Sequence, residues 1–232
     1  MYRLNKKLVL IGYCSRRKAD EYIKNGKVTV NGKIATLGQI VDDNDIISIN
    51  GEVINQNSET IILAYNKPKG VICTESKIEK NTKISDLIKE FGFNKRLFTV
   101  GRLDKDTTGL IILTNDGDLA REITNTKNDY EKEYTVMVNK NINDDFVNNM
   151  SKGVYLKDLS VRTKKCIIKL DANKKNVFNI IITQGLNRQV RRMCNELGYR
   201  VISLKRVRIM NLKLNNLKEG EYREITKKEI GL

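Results

Sequence analysis

A short stretch near the middle of the chain carries side chains suited to carboxylate chemistry. Residues 101–117 read GRLDKDTTGLIILTNDG and place Arg102, Asp104 and Asp106 directly before an apolar run. Desolvation at the end of a sheet drives a carboxylate toward its neutral form unless a nearby guanidinium keeps it ionised. An Asp–Arg pair here therefore predicts either a catalytic carboxylate or, more simply, a turn cap or salt-bridge partner. Asp106 itself is typical of local turn chemistry.

The composition restricts the other chemistries that are open to the chain. There is no histidine, and the four cysteines (Cys14, Cys73, Cys166 and Cys194) form no Cys-x-x-Cys pair. A zinc site of the usual ligands and the Ser-His-Asp and Cys-His arrangements are therefore excluded. Asp, Glu, Lys, Tyr or a thiol remain as candidates. We expect the cysteines to be reduced packing residues.

The chain is strongly basic. Lys and Arg number 43 against 28 Asp and Glu, which gives a formal net charge of +15 over 232 residues. This charge favours nucleic acid as the partner and opposes self-association, so we expect a monomer. No apolar stretch approaches the ~20 residues that a membrane span needs, and the N-terminal segment lacks a small-residue cleavage site. We expect a cytoplasmic protein with no membrane partner.

The first 57 residues predict a small ααβ module. Helical spacing of apolar residues covers 4–11, and a second helix is predicted from an N-cap at Ser15 to a stop at Gly26. Asn-Gly turns at 31–32 and 50–51 predict hairpins. The polar stretch 55–59 predicts a domain boundary, so the expected domains are 1–57 and 58–232.

The remainder of the chain alternates irregularly between strand-like and helical segments. Predicted strands cover 61–65, 70–73, 97–100, 110–114, 134–138, 161–170 and 177–183, and predicted helices cover 84–91, 118–124, 144–151 and 188–197. The absence of a regular βαβ period favours an α+β domain with a largely antiparallel sheet. In the stretch 116–118, the pattern Asp-Gly-Asp predicts a turn and a helix cap.

Two basic segments are candidates for contact with RNA. Residues 15–18 place three basic side chains at a predicted helix N-terminus, which suits phosphate oxygens. Residues 188–208 hold seven basic side chains and one acidic one. A solvated face or structural ion pairing would explain either segment without RNA. Tyr134, at the start of an alternating strand, is typical of half-buried packing, although its ring could also stack on a base.

Taken together, the motifs resemble those of the bacterial RNA pseudouridine synthases of the small-subunit (RsuA) type. The family signature is matched by Gly101-Arg102-Leu103-Asp104, Asp106-Thr107-Thr108-Gly109-Leu110 and Leu113-Thr114-Asn115-Asp116-Gly117, and two further motifs by residues 66–70 and 187–193. Residues 3–6, 14–20 and 30–32 resemble the S4 RNA-binding domain. Residues 131–134, 163–166 and 206–211, together with the lack of a His-Pro pair before the Lys-x-Tyr motif, are most similar to the F branch (RluF).

The resemblance implies a fold, an activity and a catalytic set. The fold would be an S4 domain followed by a pseudouridine synthase domain on a mixed, mostly antiparallel sheet with flanking helices. The activity would be isomerisation of uridine to pseudouridine in a 23S rRNA hairpin, with tRNA(Tyr) as a further substrate and no cofactor. Asp104 would be the catalytic carboxylate, either as nucleophile or as base. Arg191 would pair with Asp104, and Tyr134 would stack on the base.

Charge and resemblance together predict a set of RNA-contacting residues. They are Arg3, Lys6, Ser15, Arg16, Arg17, Lys18, Asn31, Lys33, Arg102, Asn187, Arg188, Gln189, Arg192, Arg206 and Arg208. Two other functions remain open at this stage. One is a non-catalytic S4-type RNA-binding or ribosome-assembly factor. The other is a metal-dependent nuclease that would use Asp104, Asp106, Asp116 and Asp118 as magnesium ligands.

Overall fold

The computed structural model of the protein describes residues 1–54, 59–73, 82–93 and 95–232. Its N-terminal part contains helices α1 (Leu4–Leu10) and α2 (Arg16–Lys24) and strands β1 (Tyr2–Arg3), β2 (Val28–Val30), β3 (Lys33–Ile34), β4 (Ile40–Val41), β5 (Ile47–Ile49) and β6 (Glu52–Val53). Strands β3, β2, β5 and β6 form an antiparallel sheet in that order. Both predicted helices and both Asn-Gly hairpins are confirmed.

The second part is built on one large mixed sheet. Its strands are β7 (Ile62–Lys67), β8 (Phe98–Val100), β9 (Thr108–Thr114), β10 (Lys132–Val138), β11 (Tyr155–Leu156), β12 (Val161–Arg162), β13 (Ile167–Leu170), β14 (Val177–Ile182), β15 (Val201–Ile209), β16 (Leu212–Lys213) and β17 (Tyr222–Glu224). Its helices are α3 (Ile84–Glu90), α4 (Gly117–Thr124), α5 (Asp144–Ser151), α6 (Gln189–Glu196) and α7 (Lys227–Ile230), with 3₁₀ turns at Thr126–Asn128 and Lys157–Leu159.

The sheet runs in the order β13-β14-β10-β15-β9-β7-β17, with β8 beside β9 and β16 beside β15. The pair β15–β9 is parallel, and the other pairs of this path are antiparallel. The predicted α+β class with a mixed, mostly antiparallel sheet and flanking helices is therefore confirmed.

Strand β9 lies at the centre of the sheet, which explains the unbroken apolar run in the sequence. Leu110 and Ile112 pack under α4 and α7, whereas Ile111 and Leu113 pack against α3 on the other face. A strand that is covered on both faces needs apolar side chains at successive positions. The loop that precedes β9 is thus anchored to the most buried strand of the domain.

Several predicted elements differ from the structure. Residues 70–73 form no strand, and Ile72 makes only an isolated bridge to Lys83. The predicted strand over 161–170 is broken between β12 and β13, because Thr163 Oγ1 accepts a hydrogen bond from the backbone N–H of Val154 at 2.9 Å. Strand β15 was not predicted. The predicted boundary at 55–59 falls largely on residues 55–58, which lie outside the described residues.

The two parts of the chain meet through α1. Asn115 Nδ2 donates to the backbone carbonyl of Leu10 at 3.1 Å, and the carboxylate of Asp118 forms an ion pair with Lys6. The first turn of α4 is thereby fastened to the N-terminal helix. Among the described residues, no helix is long and apolar enough to cross a membrane.

Candidate active site

The loop between β8 and β9 places Asp104 at one end of the sheet. The backbone N–H of Thr107 donates to the carbonyl of Asp104 at 3.0 Å and closes a turn. Gly109, where β9 begins to pair with β15, has a φ of +100°, and a Cβ there would lie 2.2 Å from the backbone oxygen of Arg206. The motif therefore requires glycine because two backbones approach closely at this point.

The turn before α6 brings arginines toward the same loop. Arg188 occupies the N-cap position with a φ of +51° and makes no side-chain cap. The side chain of the preceding Asn187 does not cap the helix, because its Oδ1 accepts from Arg192 Nη2 at 3.1 Å. Gln189 Oε1 accepts from the backbone N–H of Leu186 at 3.0 Å and holds the turn together.

The arginine at ion-pair distance from Asp104 is Arg188. Its Nη1 lies 3.9 Å from Asp104 Oδ2, and 32% of the Asp104 side chain is exposed. Arg191 Nη2 donates instead to the backbone carbonyl of Asp106 at 3.0 Å. The ion pair between Arg191 and Asp104 that the motif predicts is therefore not formed. The Arg188–Asp104 pair takes its place, because the Arg191 guanidinium binds the backbone carbonyl of Asp106.

The Arg191 guanidinium nevertheless lies in the electric field of the carboxylates. Burial and the nearby cation of Arg188 lower the pKa of Arg191, whereas Asp106 and Asp104 raise it. Two positive charges thus stand beside Asp104, one through the ion pair and one through the loop.

A cleft of about 800 Å³ opens beside Asp104. It is bounded by the β8–β9 loop, by residues of β10, β14 and β15, and by the turn before α6. Tyr134 lines it and is half-buried, because its ring also contacts two hydrophobic clusters of the sheet. The packing interpretation of Tyr134 is thus confirmed, and the ring still borders the cleft.

Part of the predicted RNA-contacting set lies on the surface. The side chains of Arg3, Arg16, Arg17, Lys18, Lys33 and Arg102 are exposed. Ser15 accepts from the backbone N–H of Lys18 at 3.3 Å and so starts α2 as its N-cap. Lys18 also pairs with Glu21 at 2.8 Å. Asn187, Arg188 and Arg102 border the cleft.

Two other predicted contacts of the N-terminal part are occupied within the protein. Lys6 binds Asp118 across the junction with α4. Asn31 Nδ2 donates to Asp45 at 2.7 Å, while its Oδ1 accepts from the backbone N–H of Ile46 at 2.8 Å. These two side chains therefore also hold the fold, and their contact with RNA stays a prediction.

Four predicted contacts of the second part also make contacts within the protein. Gln189 is only 4% exposed, and Arg192 pairs with Asp158 as well as Asn187. Arg206 is buried, and its Nε donates to the Leu110 carbonyl at 2.7 Å.

Arg208 completes this group. Its guanidinium binds Glu133 at 2.8 Å, Glu131 at 2.9 Å and the carbonyl of Met210 at 2.7 Å. Intramolecular acceptors have taken up the donors that a phosphate would need, so Arg208 is a structural residue. Arg206 differs from Arg208 because it borders the cleft, and its contact with RNA stays a prediction.

The carboxylates of the motif do not converge. Asp116 Oδ1 caps α4 by accepting from the backbone N–H of Asp118 at 2.9 Å, as predicted, and its Oδ2 lies 3.1 Å from Lys227 Nζ. Within the described ranges, no group of three His, Cys, Asp or Glu side chains is placed to hold a metal ion. The magnesium-nuclease hypothesis thus lacks its ligand set in this part of the chain.

Sequence reasoning missed two lysines near the site, one half-buried and one fully buried. Lys132 is half-buried on β10 and borders the cleft. Lys67 is fully buried, and its Nζ donates to the carbonyls of Val71 at 2.7 Å and Pro68 at 2.9 Å. The sequence did contain a signal for Lys132: it lies two residues before Tyr134 on the same strand, so both side chains face the same side of the sheet.

Comparison with solved structures identifies the class of protein. The structure described as "Crystal structure of pseudouridylate synthase" superposes with a TM-score of 0.69 at 30% identity, covering 100% of this chain and 99% of that one. The profile of the family described as "RNA pseudouridylate synthase" matches residues 61–196, and that of the S4 domain matches residues 3–47.

Curated relatives agree with this class. The chain is 45% identical to the dual-specificity RNA pseudouridine synthase RluF of Escherichia coli (strain K12), over 98% of this chain and 77% of the relative. It is 36% identical to the ribosomal large subunit pseudouridine synthase B of Bacillus subtilis (strain 168), over 99% and 94%. The chain belongs to the RNA pseudouridylate synthase family, is an RNA pseudouridine synthase with an S4 domain, and fits the RluF branch.

Proposed function

We propose that this enzyme isomerises specific uridines in a hairpin of 23S ribosomal RNA, with tRNA as a second substrate, and that Asp104 is the catalytic carboxylate. The names of its relatives, dual-specificity and large-subunit synthases, support this choice of RNA. We further propose that it acts in the cytoplasm as a monomer with domains 1–57 and 58–232.

One observation carries the catalytic assignment. Asp104 borders a cleft of about 800 Å³, beside a half-buried tyrosine, with an arginine 3.9 Å from its carboxylate. The cleft is large enough for a nucleoside, and a base that is to react must leave its stack to enter it, at a cost of a few kcal/mol. A charged carboxylate, a flat ring and nearby cations are the groups that this chemistry uses.

The reaction exchanges one bond to the sugar for another. The C1′–N1 bond breaks, the base turns, and C5 joins C1′, with no change in oxidation state. In one route Asp104 attacks C1′ as a nucleophile. In the other it removes the C2′ proton to give a glycal. Both routes need the carboxylate in its charged form, and the Arg188 guanidinium lies 3.9 Å from it. Tyr134 stacks on the base and assists removal of the C5 proton.

Binding energy for base flipping comes from the exposed cations. Arg16, Arg17 and Lys18 on α2, with Arg3 and Lys33 nearby in the chain, are placed on the surface of the S4 domain. Arg102 and Arg188 stand at the cleft and are suited to the phosphates that flank the target nucleotide. Such contacts position the RNA, and the cleft selects the uridine.

The proposal is tested by mapping pseudouridines in ribosomal and transfer RNA from a strain that lacks this protein. We expect at least one 23S rRNA position to revert to uridine and to be restored by the wild-type gene. Complementation with Asp104→Asn should leave it unmodified. An unchanged pseudouridine map in the deletion strain would contradict the proposed substrate.

A further inference from the structure

Two cations flank Tyr134 at the floor of the cleft. Arg206 is the register partner of Tyr134 across the β10–β15 pair. Lys132 precedes Tyr134 by two residues on β10, and all three side chains line the cleft. The proposed function uses the tyrosine and leaves the two cations without a role.

The Arg206 guanidinium is fixed in place and incompletely satisfied. Its Nε donates to the Leu110 carbonyl at 2.7 Å, and the residue is 5% exposed. Among the described residues, no acceptor contacts its buried Nη2. A buried charged donor without an acceptor destabilises the protein, because it has lost its contact with water and gained none in return. Such a group is a candidate contact for a ligand that enters the cleft.

Lys132 adds a second positive charge next to it. Burial lowers the pKa of Lys132, the Arg206 cation lowers it further, and Asp129 opposes both effects. In the described part of the chain, no carboxylate oxygen lies within 4 Å of Lys132 Nζ. Two neighbouring cations that form no ion pair with a described carboxylate are suited to an anionic or strongly polar oxygen from outside the protein.

Two parts of the RNA could supply that oxygen, and their positions favour one of them. The backbone phosphates of a flipped nucleotide remain with the chain at the mouth, where Arg102 is exposed and 44% of the Arg188 side chain is accessible. The base goes deepest, against Tyr134. We propose that Arg206 and Lys132 form a subsite for a carbonyl oxygen of the uracil ring; this rests on the proposed function of the cleft.

The subsite accounts for a charge that both catalytic routes generate. When C1′–N1 breaks, the bonding pair stays with the base, which becomes a uracil anion with its charge shared by N1, O2 and O4. When C5 then bonds to C1′, the pair returns to the sugar. The C5 proton leaves and N1 gains a proton, so atoms and charge balance. Donors fixed before the reaction stabilise the detached base without reorganisation.

The test measures single-turnover rate and RNA affinity separately, on a transcript of the large-subunit rRNA hairpin that the wild-type enzyme modifies. Lys132→Met should lower the rate about tenfold or more, with Kd within about threefold. Arg206→Lys, which keeps the charge but loses Nη2, should act in the same direction. Lys205→Met is the matched control, because Lys205 is also a strand cation but lines a different groove; its rate should be unchanged.

Atom substitution in the RNA identifies the contact. Sulfur accepts hydrogen bonds poorly, so 2-thiouridine or 4-thiouridine at the target should slow the wild type. In Lys132→Met the thio substitution at the contacted oxygen should add little, since the interaction is already lost. The subsite would be overturned if the 2-thio and the 4-thio substitution each slowed Lys132→Met by the same factor as they slow the wild type. A weaker Kd with an unchanged rate would also overturn it and would indicate a phosphate contact.

The controls separate this inference from the one on which it rests. If Asp104→Asn still forms pseudouridine, the catalytic assignment fails and the subsite fails with it. If Asp104→Asn is inactive while Lys132→Met turns over as fast as wild type, only the subsite is overturned. Should Arg206→Lys not fold, Lys132→Met alone decides, because Lys132 is only half-buried.

Discussion

The guanidinium of Arg191 holds the backbone carbonyl of Asp106 at 3.0 Å, two residues beyond the carboxylate that we assign to catalysis. Arg188, with its Nη1 3.9 Å from Asp104 Oδ2, makes the ion pair. The two arginines therefore divide the task. Arg191 fixes the loop and contributes its charge at longer range, while Arg188 pairs with the carboxylate at the edge of the cleft.

This division predicts different effects for the two arginines. Arg191→Gln should lower both the free energy of unfolding, by about 1 kcal/mol, and the single-turnover rate, because the loop loses a half-buried anchor. Arg188→Gln should leave stability nearly unchanged, since an ion pair this exposed contributes about 0–1 kcal/mol, and should weaken RNA binding as well as lower the single-turnover rate. Urea unfolding and single-turnover assays distinguish them. The opposite ranking in stability would contradict the assigned roles.

The Tyr134 ring is predicted to stack on the base, and its hydroxyl to assist proton removal. Tyr134→Phe should keep RNA affinity but lose most of its turnover. Tyr134→Ala should in addition weaken binding by about 1–3 kcal/mol, the usual range for loss of stacking on one base. Filter binding and product formation on the same hairpin measure the two effects. Equal turnover in wild type and both variants would exclude Tyr134 from the mechanism.

Gly109 is predicted to be intolerant of any side chain. A Cβ would lie 2.2 Å from the Arg206 carbonyl oxygen, and the φ of +100° is unfavourable for L residues. We expect Gly109→Ala to destabilise the fold by more than about 2 kcal/mol. Gly117→Ala is the control, because nothing lies within 4 Å of its Cβ position. If the two variants unfold at the same urea concentration, the close approach of β9 and β15 is incorrect.

The sequence predicted the elements that follow a clear period and the motif that joins them. Strand β9 was recognised because it is apolar at successive positions, and α5 was predicted over the range that the structure shows, Asp144–Ser151. Strand β15 was missed because Lys205, Arg206 and Arg208 concealed its alternation. These cations are tolerated in a strand because other elements supply acceptors for them, such as the Leu110 carbonyl.

In the candidate site, too, the motif predicted some features and could not predict others. Asp104 and Tyr134 were predicted from the motif, and the cleft brings them together. The exchange of partners between Arg188 and Arg191 depends on the left-handed turn at Arg188, which no residue pattern indicated. Whether a basic side chain is free for RNA depends on acidic residues distant in sequence, such as Asp118 for Lys6. Spacing along the chain carries no information on such pairs.

The cap of α4 predicts a stability that depends on pH. Burial raises the pKa of Asp116, but hydrogen bonds from the Leu119 N–H and Lys227 outweigh it, and the net pKa lies below the ordinary 3.8. A depressed folded-state pKa stabilises the protein above pH 3.8, and this stabilisation is lost as the pH falls through the folded-state value.

We therefore expect Asp116→Ala to cost about 0.5–2 kcal/mol at neutral pH, a difference that shrinks as the pH falls below 3.8 and through the folded-state pKa. Denaturant unfolding across that range measures it. Asp86→Ala, on an exposed turn of α3, should change stability by less than about 0.5 kcal/mol at every pH. A cost for Asp116→Ala that stays constant with pH would argue against the charged cap.

The most direct test of the account compares two neighbouring carboxylates. Asp104→Asn and Asp106→Asn remove the same charge from the same loop, and the Asp106 carbonyl that holds Arg191 survives in both. Single-turnover pseudouridine formation on the target hairpin should be abolished by Asp104→Asn, with RNA affinity retained, and should remain within about tenfold of wild type for Asp106→Asn, as expected for an exposed residue outside the reaction. Measurable pseudouridine formation by Asp104→Asn would contradict the account.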